Sequence, residues 1–205
     1  VTAPDQPPGP GRVVVLAGPS GSGKSRLADR LRRTHGWPIV RLDDFYREGD
    51  DPALPRSEEL GMVDWDHPDS WDQDAAVAAL RRLVETGNAS MPLYDIASSR
   101  ARGEHTVTAR DDDLVLAEGI FAAEAVPALR EADLLHSAWC IRHHRWHTFL
   151  LRLVRDLVER RKPAWTLVRR GLVLTREEPR VVARHVRLGA QPASPRRAEQ
   201  ALAGA

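Results

Sequence analysis

The apolar positions of this chain fall into short runs separated by amphipathic stretches and polar turns. Arg12 to Ala17 is a β-branched and aliphatic run, Gly18 to Gly23 is a glycine-rich turn, and Ser25 to Arg33 is rich in helix formers with Leu27 and Leu31 four apart. That pattern predicts strand, loop, helix. Pro38 to Leu42 predicts a second strand, and the polar, proline-broken stretch from Asp43 to Ser70 predicts a loop with one helical turn around Ser57 to Leu60. A connection that long in a compact domain usually carries function. From Ser70, a candidate N-cap, Val77, Leu80, Leu83 and Val84 recur on one helical face until Gly87 stops the helix. Ala89 to Leu93 and His105 to Thr108 flank a turn-rich insert holding Arg102 and Gly103, which predicts a β-hairpin over about residues 88–109. Leu114 to Ala117 is a buried strand, Pro127 opens a short helix, and Leu134 to Ile141 is a further strand. Thr148 to Arg161 is amphipathic through Leu150, Leu151, Val154, Leu157 and Val158 and ends at Pro163; Ala164 to Arg170 and Pro179 to Leu188 also read as helical.

Strands alternating with helices need crossover connections, and these give a mostly parallel sheet covered on both faces. The expected fold class is therefore α/β. At roughly 150 residues per domain, 205 residues with 42% hydrophobic content suit one domain with a real core. The expected boundaries are a flexible leader over 1–11, a domain over 12–190, and a frayed Pro-, Ala- and Arg-rich tail over 191–205.

Charge adds a division that periodicity does not reveal. Residues 1–140 hold 15 basic and 24 acidic side chains, whereas 141–205 hold 15 basic and 5 acidic. The basic third needs an anionic partner or an internal use. No apolar run approaches the about 20 residues that a membrane helix needs, the first residues lack the basic start and apolar stretch of a secretory signal, and Cys140 is the single cysteine. A cytoplasmic protein without membrane span, internal disulfide or cysteine-based zinc site is expected. Of 30 basic residues only Lys24 and Lys162 are lysines, so each is worth examining.

Lys24 lies in Gly18-Pro19-Ser20-Gly21-Ser22-Gly23-Lys24-Ser25, which satisfies GxxxxGK[ST] between a predicted strand and a predicted helix. Glycines let backbone N–H groups converge on phosphate oxygens, and the helix N-terminus adds partial positive charge. Lys24 reaches the β- and γ-phosphates and the Ser25 hydroxyl ligates Mg²⁺. A nucleoside triphosphate with Mg²⁺ follows. An NKxD sequence for reading guanine is absent from the chain.

Four further segments, together with a basic helix, resemble the uridine kinase (uridine-cytidine kinase) family, related to phosphoribulokinases and bacterial pantothenate kinases, from about Arg12 to Pro163. Asp43-Asp44-Phe45-Tyr46 resembles Asp-x-Phe-Tyr, which implies that Asp43, with its neighbour Asp44 as the alternative, accepts the proton of the substrate hydroxyl and helps organise Mg²⁺. Trp65-Asp66-His67-Pro68-Asp69-Ser70-Trp71-Asp72 resembles a segment whose first Asp, here Asp66, holds the ribose hydroxyls, with tryptophans in place of phenylalanines. Pro92-Leu93-Tyr94-Asp95 resembles the nucleoside-binding hairpin, which implies that Tyr94 lies against the base. Ser98 and Ser99 stand where a base-reading His is expected, so phosphoryl transfer is kept while uracil or cytosine recognition is in question. Leu114 to Ile120 resembles the strand that ends in Glu-Gly, which implies that Glu118 supports Mg²⁺.

Arg152-Leu-Val-Arg155-Asp156-Leu-Val-Glu159-Arg160-Arg161-Lys162 resembles the family's lid helix, over about 152–163. The resemblance implies Arg152 on the substrate side and Arg155, Arg160 and Lys162 around the transferring phosphate, where cations stabilise the transition state and closure excludes water. Arg169, Arg170, Arg176, Arg180, Arg184 and Arg187 exceed the resemblance and read as solvated helix faces, with a nucleic-acid surface as the lesser alternative.

The resemblance thus implies a P-loop NTPase fold, three-layer α/β/α with a hairpin insert and a helical lid. It implies an ATP- and Mg²⁺-dependent kinase acting on a primary hydroxyl of a nucleoside or a similar small ribose or polyol substrate. The alternatives are a pantothenate or sugar-phosphate kinase of the same superfamily and a noncatalytic nucleotide-binding or nucleic-acid-associated regulator. Family members are often oligomers, which leaves a homo-oligomer open.

Overall fold

The computed structural model describes residues 9, 11–57, 62–142 and 179–204. The predicted lid, with Arg152, Arg155, Arg160 and Lys162, the helix over Ala164 to Arg170 and most of the turn at Ser57 to Leu60 lie outside them, as do Arg169, Arg170 and Arg176.

Strand β1 (Val13–Ala17) is buried at all five positions, as its uninterrupted apolar run requires of a strand covered on both faces. It pairs in parallel with β5 (Val115–Glu118) and β6 (Leu135–Ile141); β2 (Ile39–Arg41) extends the sheet beyond β5 and β7 (Gln191–Ala193) beyond β6, giving the order β2-β5-β1-β6-β7. Alternate β1 side chains feed two cores. Val13 and Val15 pack with Val77, Leu80 and Leu83 of α2 (Gln73–Thr86) and Leu129 of α3 (Val126–Glu131). Val14 and Leu16 pack with Leu27 and Leu31 of α1 (Lys24–His35). The result is the three-layer α/β/α arrangement expected.

Local signals fix the helix ends with one correction. Asp72, not Ser70, caps α2: its carboxylate accepts the Ala75 N–H at 2.9 Å. The Ser70 hydroxyl instead donates to the His67 carbonyl at 2.7 Å, closing the short 3₁₀ turn Pro68–Ser70. Gly87 stops α2 in the left-handed conformation at φ 74°. The hairpin, β3 (Asn88–Asp95) with β4 (Arg100–Thr108), also differs in detail, because its turn falls at 96–99 and Arg102 and Gly103 belong to β4. Asp95 explains this, since its carboxylate accepts the Ala97 N–H and the Ser98 hydroxyl and so starts the turn early.

The larger correction concerns the tail. Residues 191–205 were expected to fray, yet β7 completes the sheet and α5 (Pro195–Leu202) packs on the α1 side with Ala198 and Leu202 buried. The Ser194 hydroxyl accepts the Arg197 N–H, Pro195 occupies the first turn, and Arg30 of α1 holds Glu199 through two bonds of 3.0 Å. Ahead of it, a helical segment over 179–187, here α4, packs Val182 against the α2-side core. Its buried His185 faces the Cys140 sulfur at 3.6 Å, with burial lowering the imidazole to about 4. Arg184 is exposed, as a solvated helix face requires, and its guanidinium pairs with Glu124 at 2.8 and 3.1 Å.

If α5 is an integral layer, Leu202→Ala should lower the unfolding free energy by about 2–5 kcal/mol, whereas Arg30→Ala, which removes a half-exposed ion pair, should change it by about 1 kcal/mol or less. Urea denaturation of the full chain measures both, and equal small effects would contradict the packing.

Candidate active site

The parallel register brings three strand ends level, since Leu16 of β1 pairs with Glu118 of β5 and Glu118 with Arg41 of β2. The residues that follow these ends form the site, as is usual in the crevice beyond the carboxyl ends of an open α/β sheet.

Beyond β1 the glycine-rich turn passes so close to β6 that a Cβ on Gly18 would lie 2.3 Å from the Ile141 carbonyl oxygen, and Gly18 has φ +140°. Only glycine meets both conditions. The loop returns into α1 at Lys24, which is 5% exposed and whose ammonium donates to the Gly18 and Pro19 carbonyls at 3.0 and 3.2 Å. Ser22 is fully buried, and among the described residues its hydroxyl is the buried side-chain oxygen with no hydrogen-bond partner. An orphaned hydroxyl inside a loop of converging N–H groups fits a phosphate oxygen as its missing partner. Gly21 and Gly23 take positive φ, while Pro19 closes the turn through the Ser22 N–H; Ser20 lies between.

Beyond β2 the chain enters the 3₁₀ turn Leu42–Phe45, which sends Asp43 and Asp44 in different directions. Asp43 Oδ1 accepts the Ile120 N–H at 2.8 Å. That bond depends on Gly119, where a Cβ would stand 2.7 Å from the same oxygen. Burial pushes the Asp43 carboxyl above its ordinary value, against the Ile120 bond and the Lys24 charge. Asp44 is also raised by burial, opposed by a bond to the Tyr94 backbone and by Arg41 and His105.

Beyond β5, Glu118 is 7% exposed and accepts the Ser25 hydroxyl, which lies 3.2 Å from each of its oxygens. Burial raises its carboxyl too, opposed first by Lys24. Ser25, Glu118 and Asp43 therefore offer one hydroxyl and two carboxylates beside a phosphate loop, the hard oxygen donors Mg²⁺ takes when phosphates supply further ligands. The residues present fit the metal.

On the hairpin side stands an aromatic cluster. Tyr46 lies edge-on to Trp65 and Phe121 and tilted against Tyr94, with ring centroids 5.7–6.0 Å apart. The Tyr94 hydroxyl donates to the Arg47 carbonyl at 3.0 Å. Asp66 is exposed, and burial, then the charges of Asp43 and Asp66, raise the Tyr46 phenol. Trp71 donates its indole N–H to the Leu42 carbonyl at 2.6 Å, fastening the base of the Asp43 turn in a way phenylalanine would not. Tyr46 and Phe121 are the site residues that motif reading left without a role; both follow a motif carboxylate within three residues, which was the available signal. Of the residues expected at the site, the eight of the loop, Asp43 and Glu118 converge, Asp66 and Tyr94 border the aromatic cluster, and Arg152, Arg155, Arg160 and Lys162 fall outside the described residues.

The described residues contain no helix long and apolar enough to cross a membrane. A uridine kinase from Lactobacillus johnsonii is 30% identical over 112 residues, 53% of this chain and 51% of that protein. A uridine kinase from Macrococcus caseolyticus is 29% identical over 166 residues, covering 80% of this chain and 78% of the relative. The chain thus spans about half of the first and over three quarters of the second. A solved structure from Silicibacter sp. TM1040, described as a candidate fructose transport system kinase, superposes with a TM-score of 0.60 at 18% identity over 94% of this chain and 91% of that one, a likeness of fold. Residues 13–162 match the model of the Phosphoribulokinase / Uridine kinase family. With the phosphate loop and its carboxylates at the edge of a parallel sheet, the chain belongs to the phosphoribulokinase / uridine kinase family and is an ATP-dependent phosphotransferase with a hydroxyl acceptor.

Proposed function

We propose that the chain transfers the γ-phosphoryl group of ATP to a primary hydroxyl of a nucleoside or of a similar small ribose or polyol substrate. The observation that supports this most is Asp43, whose carboxylate is fixed by the Ile120 N–H and lies within the electrostatic reach of Lys24 and Glu118. A nucleotide switch has no use for a proton acceptor there. The two uridine kinases similar to this chain support a nucleoside or related acceptor.

Ser25, Asp43 and Glu118 would hold Mg²⁺, which would supply charge neutralisation for the triphosphate. The loop N–H groups and Lys24 orient the triphosphate. The acceptor oxygen bonds to the γ-phosphorus as the bond to the β-bridging oxygen breaks and ADP leaves; the hydroxyl proton passes to Asp43, whose Oδ2 is the oxygen not engaged by Ile120. Arg155, Arg160 and Lys162 are proposed to stabilise the transferring group from the lid, with Arg152 on the acceptor. In the nucleoside form of this reading Asp66 holds the diol and Tyr94 flanks the base.

Asp43→Asn should reduce acceptor-dependent ADP formation by about 10²–10⁴-fold with ATP binding retained; ATP turnover independent of acceptor and unchanged in that variant would contradict the proposal. The same substitution should stabilise the nucleotide-free protein. A carboxyl raised on folding opposes folding when ionised, so the gain is full above the raised value and vanishes as pH falls through it toward 3.8. Thermal melts of both proteins between pH 4 and 8 test the sign, and a gain growing toward acid would refute it.

A further inference from the structure

Asp44 faces a space that the reading above leaves unused. At the β2 edge, between α1 and the hairpin, lies a cavity of about 220 Å³, below the roughly 300–1,000 Å³ of pockets for drug-sized ligands. Its polar wall includes Ser25, Glu118, Asp44, Arg41 and His105, with Arg32 at the α1 side paired to Asp29. Ala28, Ile39 and Leu93 supply an aliphatic patch, and no Phe, Tyr or Trp is among the lining residues. Ser25 and Glu118 belong both to this cavity and to the phosphate centre, so a ligand seated here is adjacent to the transferring group.

The chemistry of that wall is selective. Carboxylates that only accept alternate with guanidinium groups that only donate and an imidazole that does either. Hydroxyl groups satisfy both kinds of partner, and carbon-bound hydrogens suit an aliphatic patch. A nucleobase gains most from an aromatic face, and none among the described residues lines this cavity: Tyr94 lies against Tyr46 and its hydroxyl is bonded to Arg47. The hairpin tip, where a base would be read, is closed on itself. Ser98 bonds Asp95, Arg102 pairs with Asp95 at 2.7 Å, Arg100 pairs with Asp50, and the Ser99 carbonyl accepts the Gly49 N–H at 2.8 Å. A Cβ on Gly49 would stand 2.9 Å from the Ser99 Cβ, so the 48–50 segment lies directly on the tip.

We propose that the β2-edge cavity binds a small polyol through Asp44 and His105, and that this polyol is the phosphoryl acceptor. This rests on the kinase reading and narrows its acceptor to a sugar-like molecule without a base. His105 is thereby a specificity residue supplied from β4, opposite the buried Met91, rather than from the hairpin tip.

The test has a binding arm and a rate arm. D-fructose, D-ribose and glycerol are titrated calorimetrically into the full chain with Mg²⁺ and ADP, and the same compounds and uridine are then assayed for ADP formation from ATP. At least one polyol should bind and be phosphorylated, and His105→Ala and Asp44→Asn should each weaken its binding and raise its KM about tenfold or more, the loss of one charged or paired hydrogen bond. An unaltered KM for ATP in both variants shows that they fold. Failure of all three polyols to bind, binding that neither variant changes, or uridine phosphorylation indifferent to His105→Ala would each overturn the proposal. Should no acceptor, uridine included, be phosphorylated, the kinase reading fails, whereas the calorimetric arm still decides the cavity.

Discussion

The parallel pairing of β2, β5 and β1 is the constraint on which the site depends. It places Arg41, Glu118 and Leu16 in one row, so that a turn begun one or two residues later on each strand lands beside its neighbours. Gly18 and Gly119 then set the spacing, one by passing under the Ile141 carbonyl and the other by letting Asp43 reach the Ile120 N–H. The helices on both faces hold that row fixed, and burial of every β1 side chain leaves no freedom for it to slip.

The same row concentrates charge where folding would avoid it. Glu118 is buried, the carboxyls of Asp43 and Glu118 are both raised chiefly by desolvation, and the Asp43 charge raises Glu118 further, with Lys24 as the cation that opposes both shifts. A divalent ion bound there would offset that cost, in keeping with the way catalytic sites trade stability for function. Asp44, one residue on, still feels the Asp43 charge but turns toward Arg41 and His105, whose charges oppose its rise. A dipeptide of identical residues thus serves two spaces, and the split is made by the 3₁₀ turn rather than by side-chain chemistry.

Much of this was legible in the sequence because the signals are local. The strand, glycine loop and helix of residues 12–35, the stop at Gly87 and the hairpin all follow from spacings within a dozen residues. Ser70 misled because a hydroxyl before a helix reads as a cap, while the carboxylate two residues later competes better for the Ala75 N–H. The tail was misread for a different reason. Ser194-Pro195 is a sound helix start, but Ala198 and Leu202 are buried only because α1 lies beneath them, and Glu199 finds Arg30 across 169 positions. The cavity at the β2 edge was equally hidden, since Arg32, Arg41, Asp44 and His105 meet only once the hairpin folds back over the sheet edge.

The central claim is that this strand-edge cluster moves a phosphoryl group to a carbon-bound hydroxyl. Tracing the γ-phosphorus of labelled ATP in the presence of Mg²⁺ and a mixed set of polyols and nucleosides addresses it directly. The account predicts label in a phosphate ester of one acceptor, dependent on that acceptor being present. Label released as inorganic phosphate at the same rate with and without acceptors would contradict it.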